Sequence, residues 1–338
     1  MSRAIERLWA ADGGGARMLA PLSWVYASIV GAKNLLYELG VFRAHALGVP
    51  TVSVGNLSVG GTGKTPVSAW VASELRALGA VPAVLLRGYG DDEPTVHERL
   101  SPGMVVIADA DRVAGAARAR ARGANVLVLD DGFQHRRAAR DLDLVLVAAE
   151  QRLVHRLLPA GPLRENAYAL RRASLLIVTR KSASVAEAEE AAASWTGFAG
   201  APKSVIIHLR PGELLATDPG AADQRLALGA LAGRRVLAIS AVGAPRAFEA
   251  QLADAGAVVD PAAYPDHHPF SGAEVEQLAR RAGLADVTCC TLKDAVKLGP
   301  RWPRQAPPLW YLSQAVEVER GALLLQDALR RLASAATT

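Results

Sequence analysis

The segment Ser58-Val59-Gly60-Gly61-Thr62-Gly63-Lys64-Thr65 decides how this chain folds. It follows the apolar run Pro50–Val54 and precedes a helix-like stretch, Pro66–Leu78. A strand, a glycine-rich loop, Lys-Thr and a helix are typical of a nucleoside triphosphate site, because the loop N–H groups can cradle phosphate oxygens. Lys64 can then reach the β- and γ-phosphates, and the Thr65 hydroxyl can ligate Mg²⁺. We therefore predict a site for ATP or GTP. The alternative is a glycine-rich turn before an ordinary helix, since Ser58 stands where the usual pattern has glycine.

The composition indicates a globular protein with two domains. Apolar residues make up 51% of the chain and charged residues 21%, and 338 residues exceed one typical core. The net charge of +5 and the pI of about 9.4 favour an anionic partner, such as a membrane surface or a phosphorylated substrate. No block rich in Lys and Arg stands out, so nucleic acid is not an expected partner. Cys289 and Cys290 lack metal-ligand spacing, so we expect a reducing cytosol and no structural zinc.

The N-terminal region contains an apolar segment, Met18–Ala32, which lies between Arg17 and Lys33. Its 15 uncharged residues fall short of the roughly 18–20 that a membrane-spanning helix needs, and no signal-peptide cleavage pattern follows a basic start. The aromatic residues Trp24 and Tyr26, with the flanking cations, fit a helix that lies in a membrane interface. A buried helix packed on the nucleotide-binding domain fits equally well, and the sequence leaves both alternatives open.

Downstream of the loop, short apolar runs alternate with helical stretches, which is typical of a parallel sheet covered on both faces. The runs that predict strands are 83–86, 105–108, 125–129, 142–147 and 174–178, and then 235–239, 257–259 and 286–288. We predict an α/β protein with a phosphate-loop NTPase-like parallel-sheet domain and a second, smaller α/β domain. The predicted boundaries are an N-terminal membrane-interface helix region over 1–45, the phosphate-loop domain over 46–208, a linker over 209–234 and the C-terminal domain over 235–338.

Two acidic residues directly follow the apolar run Val126–Leu129. In phosphate-loop enzymes an acid at the end of a neighbouring strand holds Mg²⁺, directly or through water. Asp130 and Asp131 fit that role, and the alternative is a strand end that is acidic without a function. Gln134, His135 and several arginines come next, at the carboxyl edge where open α/β sheets bind their ligands.

Two further segments carry groups that can move a proton. Asp91-Asp92-Glu93 follows Arg87-Gly88-Tyr89-Gly90 in a loop and can supply a general base or a metal ligand, although most acidic loops are merely solvated. Asp266-His267-His268 lies in a loop before a predicted helix, and histidine can exchange a proton near neutral pH. Paired histidines can also bind zinc, but no third ligand occurs at suitable spacing. Asp266 can equally serve as a turn residue.

Taken together, these segments resemble the tetraacyldisaccharide 4'-kinase family, the lipid A 4'-kinases of Gram-negative bacteria. Three strings are far more specific than the phosphate loop itself: Gly55-Asn56 before the loop, Asp130-Asp131-Gly132-Phe133-Gln134-His135, and Leu158-Pro159-Ala160-Gly161-Pro162-Leu163-Arg164-Glu165. The match runs nearly end to end and also includes the strings 21–26, 87–90, 266–268 and 293–297. The family accepts Ser or Thr at position 58.

The resemblance implies transfer of the γ-phosphate of ATP to the 4'-hydroxyl of a tetraacylated glucosamine disaccharide 1-phosphate. The product is the 1,4'-bisphosphate precursor of lipid A. ATP and Mg²⁺ are the implied cofactors, and the acylated disaccharide lipid and an anionic membrane surface are the implied partners. The resemblance further implies a peripheral location at the cytoplasmic face of the inner membrane. No obligate protein partner is inferred.

The resemblance also implies a catalytic dyad of Asp92, in a Gly-Asp-Glu context, and His267. Asp92, oriented by His267, would accept the proton of the sugar hydroxyl, while Lys64, the loop amides and Mg²⁺ stabilise charge. The chain departs from the family pattern at two positions. Asp91 replaces a usual Gly, so the base can be Asp91 instead, and Leu292 replaces the Glu of the family's Thr-Glu-Lys-Asp string.

A partner-driven phosphate-loop ATPase at the membrane is the alternative prediction. Such ATPases usually carry a further Lys just before the Gly-Gly pair, where this chain has Val59. A GTPase is disfavoured because the sequence contains no Asn-Lys-x-Asp string for reading guanine. Acceptor dependence separates the two predictions, since a kinase hydrolyses little ATP without its acceptor and a switch ATPase responds to a protein.

Overall fold

The computed structural model describes residues 9, 14–88, 92–151, 154, 156–197, 200–218, 224–243 and 245–337. By its internal contacts the chain divides into two compact units. We call the described residues of Ala4–Leu209 and Val316–Thr338 the phosphate-loop unit, and those of Arg210–Ala315 the second unit. Strands and helices alternate in both, so the predicted α/β fold with a second, smaller α/β part is confirmed.

The phosphate-loop unit contains a parallel sheet with a buried centre. Its strands are β1 (Thr51–Asn56), β2 (Pro82–Leu86), β3 (Val105–Ala108), β4 (Val126–Asp130), β5 (Leu142–Ala148), β6 (Leu175–Arg180) and the beginning of β7 (Lys203–Ala216). They lie in the order β7, β6, β5, β1, β4, β2, β3, and every neighbouring pair is parallel. Every residue of β1, β2, β4 and β5 is buried, which explains why continuous apolar runs predicted these strands.

Helices cover this sheet. They are α1 (Gly14–Met18), α2 (Ala20–Glu38), α3 (Lys64–Ala77), α4 (Asp92–Leu100), α5 (Arg112–Ala121), α6 (Val185–Thr196), a 3₁₀ turn (Ala167–Arg172) and, at the end of the chain, α10 (Ala322–Thr337). Val71 and Leu75 of α3 belong to the same buried apolar cluster as Leu325 and Leu329 of α10. This shared burial places the last helix in the phosphate-loop unit, whereas the sequence analysis assigned residues 316–338 to the C-terminal domain.

The second unit is built around parallel strands as well. Its elements are β8 (Arg225–Leu226), β9 (Arg235–Ser240), α7 (Pro245–Asp254), β10 (Val258–Ala263), α8 (Gly272–Ala282), β11 (Val287–Cys290), α9 (Leu292–Leu298) and the beginning of β12 (Leu309–Arg320). The strand order β10, β9, β11, β12 is parallel throughout. The capping box of α8, in which Ser271 and Glu274 bond each other's backbone N–H, fixes where that helix begins.

Residues 209–216 belong to β7, although the sequence analysis expected a linker to begin at 209. Proline and glycine usually argue against a central strand, and this stretch contains Pro211 and Gly212. Gly212 lies so close to β12 that a Cβ atom would stand 2.5 Å from Ser313 Oγ. The same hydroxyl donates to the Glu213 carbonyl at 2.7 Å. The glycine therefore allows β7 and β12 to lie close together, and the strand continues through it.

Candidate active site

The phosphate loop joins the end of β1 to the start of α3, as predicted. Gly60 and Gly63 have φ angles of 129° and 80°, which L side chains rarely adopt. The loop is anchored at Thr62, whose hydroxyl accepts from Asn56 Nδ2 at 3.1 Å and whose carbonyl accepts from Thr179 Oγ1 at 2.9 Å. Gly63 has no side chain to cap the helix, so the first N–H groups of α3 are suited to an anion.

Ser58 replaces the first glycine of the usual pattern without backbone strain, since its φ is not positive. Its hydroxyl donates to Gln151 Oε1 at 3.1 Å. The next residue, Val59, donates its N–H to the Pro162 carbonyl at 2.8 Å. These two contacts hold the beginning of the loop in place, which explains how the chain accepts serine at this position.

Asp130 ends β4, the strand beside β1, and its carboxylate is buried. Ser68 Oγ donates to Oδ1 at 3.1 Å, and His97 Nε2 lies 2.8 Å from Oδ2. Burial alone would raise the pKa of Asp130, but the hydrogen bond and charge of His97, the charge of Lys64 and the Ser68 bond together lower it below its ordinary value. A carboxylate is thus available at the end of this strand at neutral pH.

Asp131 follows directly, in a left-handed conformation with φ 54°. Arg164 Nη1 lies 2.9 Å from both of its carboxylate oxygens, and Lys64 Nζ lies 3.7 Å from Oδ1. Arg164 also donates to Gln134 Oε1 at 3.4 Å. Lys64 and the two carboxylates, all chosen from the sequence, therefore come together at one edge of the sheet.

His97 is a site residue that the sequence analysis missed. It is 1% exposed, and its Nδ1 has no partner among the described residues. It lies on α4, which begins at Asp92, so the segment expected as an acidic loop is the start of a helix from that residue onward. A single histidine carries no spacing signal, whereas the Asp-Glu-Pro string is a helix-start signal that the sequence did offer. Asp91 lies outside the described residues.

Gln134 and His135 also stand at this edge. Gln134 Nε2 donates to the Asn56 carbonyl at 2.9 Å, and Lys33 Nζ donates to the Gln134 carbonyl at 3.2 Å. Burial lowers the pKa of His135 to about 4, and the charges of Arg112, Lys33 and Arg140 add to the effect. His135 is accordingly neutral at physiological pH.

The second unit carries His267, in the loop between β10 and α8. Its φ is 60°, its side chain is 55% exposed, and its Nε2 lies 4.0 Å from Asp266 Oδ1. His268 instead bonds Glu274 Oε1 at 3.0 Å and stacks on Tyr264 with ring centroids 4.9 Å apart. The two histidines thus differ, since His268 supports the loop and His267 is accessible. Asp92 and His267, the predicted dyad, belong to different units.

Helix α2 packs on the phosphate-loop unit through polar contacts. Ser23 Oγ donates to the Leu157 carbonyl at 3.0 Å, Tyr26 OH to the Arg164 carbonyl at 3.0 Å, and Asn34 Nδ2 to Glu165 Oε2 at 2.7 Å. Outside these contacts the helix exposes large apolar side chains: Leu22, Trp24, Val25, Ile29 and Leu35. None of the described helices combines the length and apolar character needed to cross a bilayer.

A cavity of about 430 Å³ lies between α2 and the 3₁₀ turn at Ala167–Arg172. Its charged lining comes from two acids and two arginines: Glu38, Glu165, Arg171 and Arg172. Asn34, Asn166 and Tyr168 add polar groups, and apolar residues of α2 complete the wall together with Leu157 and Ala169. Arg172 forms a bidentate ion pair with Glu165 at 3.0 Å. The cavity therefore joins charged groups to the helix that exposes apolar side chains.

A glycine-rich loop between strand and helix, with Lys64 as the first helical residue and two carboxylates at the end of the neighbouring strand, defines a phosphate-loop nucleotide-binding enzyme. The tetraacyldisaccharide-1-P 4'-kinase family, LpxK, matches residues 15–332. The chain belongs to this family. The prediction of an ATP-dependent lipid kinase is thereby confirmed and is favoured over the partner-driven ATPase.

Individual relatives agree with this assignment. A tetraacyldisaccharide 4'-kinase of Anaeromyxobacter sp. (strain Fw109-5) is 38% identical over 328 residues, which cover 88% of this chain and 88% of the relative. One from Geobacter metallireducens is 40% identical over 314 residues, covering 84% of this chain and 88% of the relative. Among solved structures, LpxK from Aquifex aeolicus in complex with ATP superposes with a TM-score of 0.75 at 29% identity, over 94% of this chain and 99% of that one.

Proposed function

We propose that residues 58–65 bind the phosphates of ATP and that Lys64, Thr65, Asp130 and Asp131 serve the transfer of the γ-phosphate to the lipid 4'-hydroxyl. The observation that carries this proposal is the meeting of Lys64 with Asp131, 3.7 Å apart, beside the buried Asp130. Lys64 stabilises the charge of the transferred group, and the loop N–H groups bind the phosphate oxygens.

Mg²⁺ fits the residues present. The Thr65 hydroxyl and the carboxylates of Asp130 and Asp131 are hard oxygen ligands, which this ion prefers. The described residues contain no group of three or more His, Cys, Asp or Glu able to hold a metal. In kinases, phosphate oxygens and water fill most of the coordination sphere of Mg²⁺, and the protein supplies only one or two ligands. When bound, the ion neutralises charge on the phosphate oxygens.

We assign the acceptance of the proton from the sugar hydroxyl to Asp92, oriented by His267. Asp92 is the first residue of α4. His97 of the same helix is hydrogen-bonded to Asp130, so α4 is attached to the proposed metal-binding carboxylate. His267 is accessible, as a group that meets a substrate or a second side chain must be. The assignment itself comes from the family resemblance, and the alternative base is Asp91.

We further propose that α2 lies at an anionic membrane surface, at the cytoplasmic face of the inner membrane. Trp24 and Ile29 are 71% and 64% exposed, and a net charge of +5 favours anionic lipid headgroups. The cavity beside α2 is our candidate for the disaccharide headgroup, since Arg171 and Arg172 line it together with the polar groups of Asn34, Glu38 and Glu165.

The experiment that tests this function is transfer of labelled γ-phosphate from ATP to a tetraacyl-disaccharide 1-phosphate in detergent micelles. Lys64→Ala should lower the rate by about 10²-fold or more, because a charge stabiliser of the transition state is removed. Lys203→Ala, an exposed lysine of the same unit, is the matched control and should keep the wild-type rate. No labelled lipid, with ATP hydrolysed by the wild type and by Lys203→Ala at the same rate with and without the lipid, would move the assignment to the partner-driven ATPase.

A further inference from the structure

A completely buried carboxylate, Asp294, lies in the second unit in the first turn of α9. Its Oδ2 accepts two hydrogen bonds, from Thr291 Oγ1 at 2.6 Å and from the backbone N–H of Ala241 at 3.0 Å. Its Oδ1 has no partner among the described residues. Burial raises the pKa of Asp294 above its ordinary value. Burying a carboxyl group costs free energy, which its hydrogen bonds to Thr291 and Ala241 offset.

Ala241, which donates to Asp294, is also hydrogen-bonded to His267. Ala241 follows β9, and its carbonyl accepts the N–H of His267 at 3.1 Å. The preceding carbonyl, that of Ser240, accepts the N–H of Tyr264 at 2.7 Å. The end of β9 therefore carries the loop that bears His267, and Asp294 holds the peptide at that end.

This loop needs an anchor because His267 has a φ of 60°, a backbone conformation that residues other than glycine seldom adopt. A second anchor exists on the other side. His268 bonds Glu274 at 3.0 Å, and its ring packs on Tyr264 and Phe270 with centroids 4.9 and 5.2 Å apart. Held from both sides, the backbone of His267 is fixed while its imidazole stays 55% exposed.

We propose that Asp294 is a positioning residue for His267. Its carboxylate accepts the N–H of Ala241, and the carbonyl of the same residue accepts the N–H of His267, so that the imidazole is presented from a defined backbone position. The proposal rests on the proposed role of His267 in the kinase reaction. A purely structural role is the competing explanation, since Thr291 and Asp294 together also start α9.

Three variants separate these explanations. Asp294→Leu fills the same space without an acceptor, and Asp294→Asn keeps an oxygen that can accept from Ala241. Thr291→Val removes the helix cap and the Thr291 bond to Asp294 but leaves the Ala241 bond, so it is the structural control. For each we would measure kcat, KM for the lipid acceptor in micelles, ATP affinity and Tm.

Asp294→Leu should lower kcat by about 10- to 100-fold, because small displacements of a reacting group cost that much, with ATP affinity unchanged. Asp294→Asn should restore most of kcat, and Thr291→Val should lower Tm with little effect on kcat. Equal losses of kcat in Asp294→Leu and Thr291→Val would overturn the proposal. If Asp294→Leu does not fold, Asp294→Ser replaces it, since serine is polar but too short to reach Ala241.

His267→Ala distinguishes a failure of this proposal from a failure of the proposed function. If His267→Ala turns over at the wild-type rate, the proposed role of His267 is wrong, and the positioning role of Asp294 is wrong as well. If His267→Ala is slow and Asp294→Leu is not, the positioning role alone is wrong. The expected result is that both are slow and that adding Asp294→Leu to His267→Ala causes no further loss of kcat.

Discussion

The carboxylate of Asp130 is held on both oxygens, by Ser68 at 3.1 Å and by His97 at 2.8 Å. A buried acid with two fixed partners keeps one orientation, which is what a group at the end of a phosphate-loop strand needs. Because His97 lies on the helix that Asp92 opens, this contact also ties that helix to Asp130. The His97–Asp130 contact thus connects the helix of the predicted base, Asp92, to the predicted metal ligand, Asp130.

The change His97→Leu tests this support. It removes the bond to Asp130 Oδ2 and leaves a buried carboxylate with one partner fewer. We expect kcat to fall by about 10- to 100-fold, the range seen when a group that orients a metal ligand is lost. Steady-state kinetics over a series of Mg²⁺ concentrations measures the effect, together with Tm.

Glu98→Gln is the matched control, since Glu98 is the exposed neighbour of His97 on the same helix. It should leave kcat, Tm and the Mg²⁺ dependence unchanged. Equal kcat values for His97→Leu and Glu98→Gln would show that the contact with Asp130 has no part in the reaction.

Strands that are buried on both faces were predicted from the sequence, because such strands appear as continuous apolar runs. The sequence also predicted β3 and β10, which are partly exposed but begin with or contain short apolar runs. It did not predict the course of β7, where Pro211 and Gly212 resemble a break, or β12, whose exposure varies along its length. These strands depend on neighbours that are distant in the chain, as the 2.5 Å approach of a Gly212 Cβ to Ser313 illustrates.

The residues of the candidate site also fall into two groups, those that the sequence predicted and those that it did not. Lys64, Asp130 and Asp131 were predicted from motif spacing, and the structure places them close together. His97 joins Asp130 from 33 residues away, and Arg164 joins Asp131 over the same separation. Contacts at such separations depend on how helices pack on the sheet, which a single sequence does not encode in any local pattern.

The capping box of α8 predicts a specific pH dependence. Bonds from the Ser271 N–H and hydroxyl, followed by that from His268, lower the pKa of Glu274 to about 2, against 4.5 for the ordinary side chain. A carboxyl with a depressed folded-state pKa stabilises the fold above 4.5, and this contribution is lost as pH falls from 4.5 towards 2. Glu274→Gln should therefore be less stable than wild type at pH 7, with the difference shrinking below pH 4.5.

Urea unfolding at a series of pH values between 7 and 3 measures this difference in the free energy of unfolding. Glu276→Gln is the control, since Glu276 lies on the same helix and its ion pair with Arg280 at 4.0 Å is exposed. A difference between wild type and Glu274→Gln that stays constant down to pH 3 would contradict the assigned pKa shift.

The residues that we propose bind ATP lie in one compact unit, and His267 lies in the other. The phosphate-loop unit also carries α2, which exposes apolar side chains next to the cavity beside Arg171 and Arg172. This grouping places the proposed lipid contact and the nucleotide contact in the same compact unit. Loss of the lipid contact should therefore affect how the acceptor is reached and leave phosphoryl transfer itself intact.

The paired change Trp24→Ser and Ile29→Ser tests that separation. Each side chain contributes on the order of 1.5–3 kcal/mol when fully buried in an apolar phase, so the pair should lower the vesicle partition coefficient by about tenfold or more. Co-sedimentation with anionic phospholipid vesicles measures it. Activity on acceptor embedded in vesicles should fall in parallel, while kcat on acceptor in detergent micelles stays at the wild-type value.

The matched control is Leu284→Ser with Leu323→Ser, two leucines that are 74% and 73% exposed elsewhere on the chain. If both pairs reduce vesicle binding equally, or if neither does, α2 is not the membrane contact.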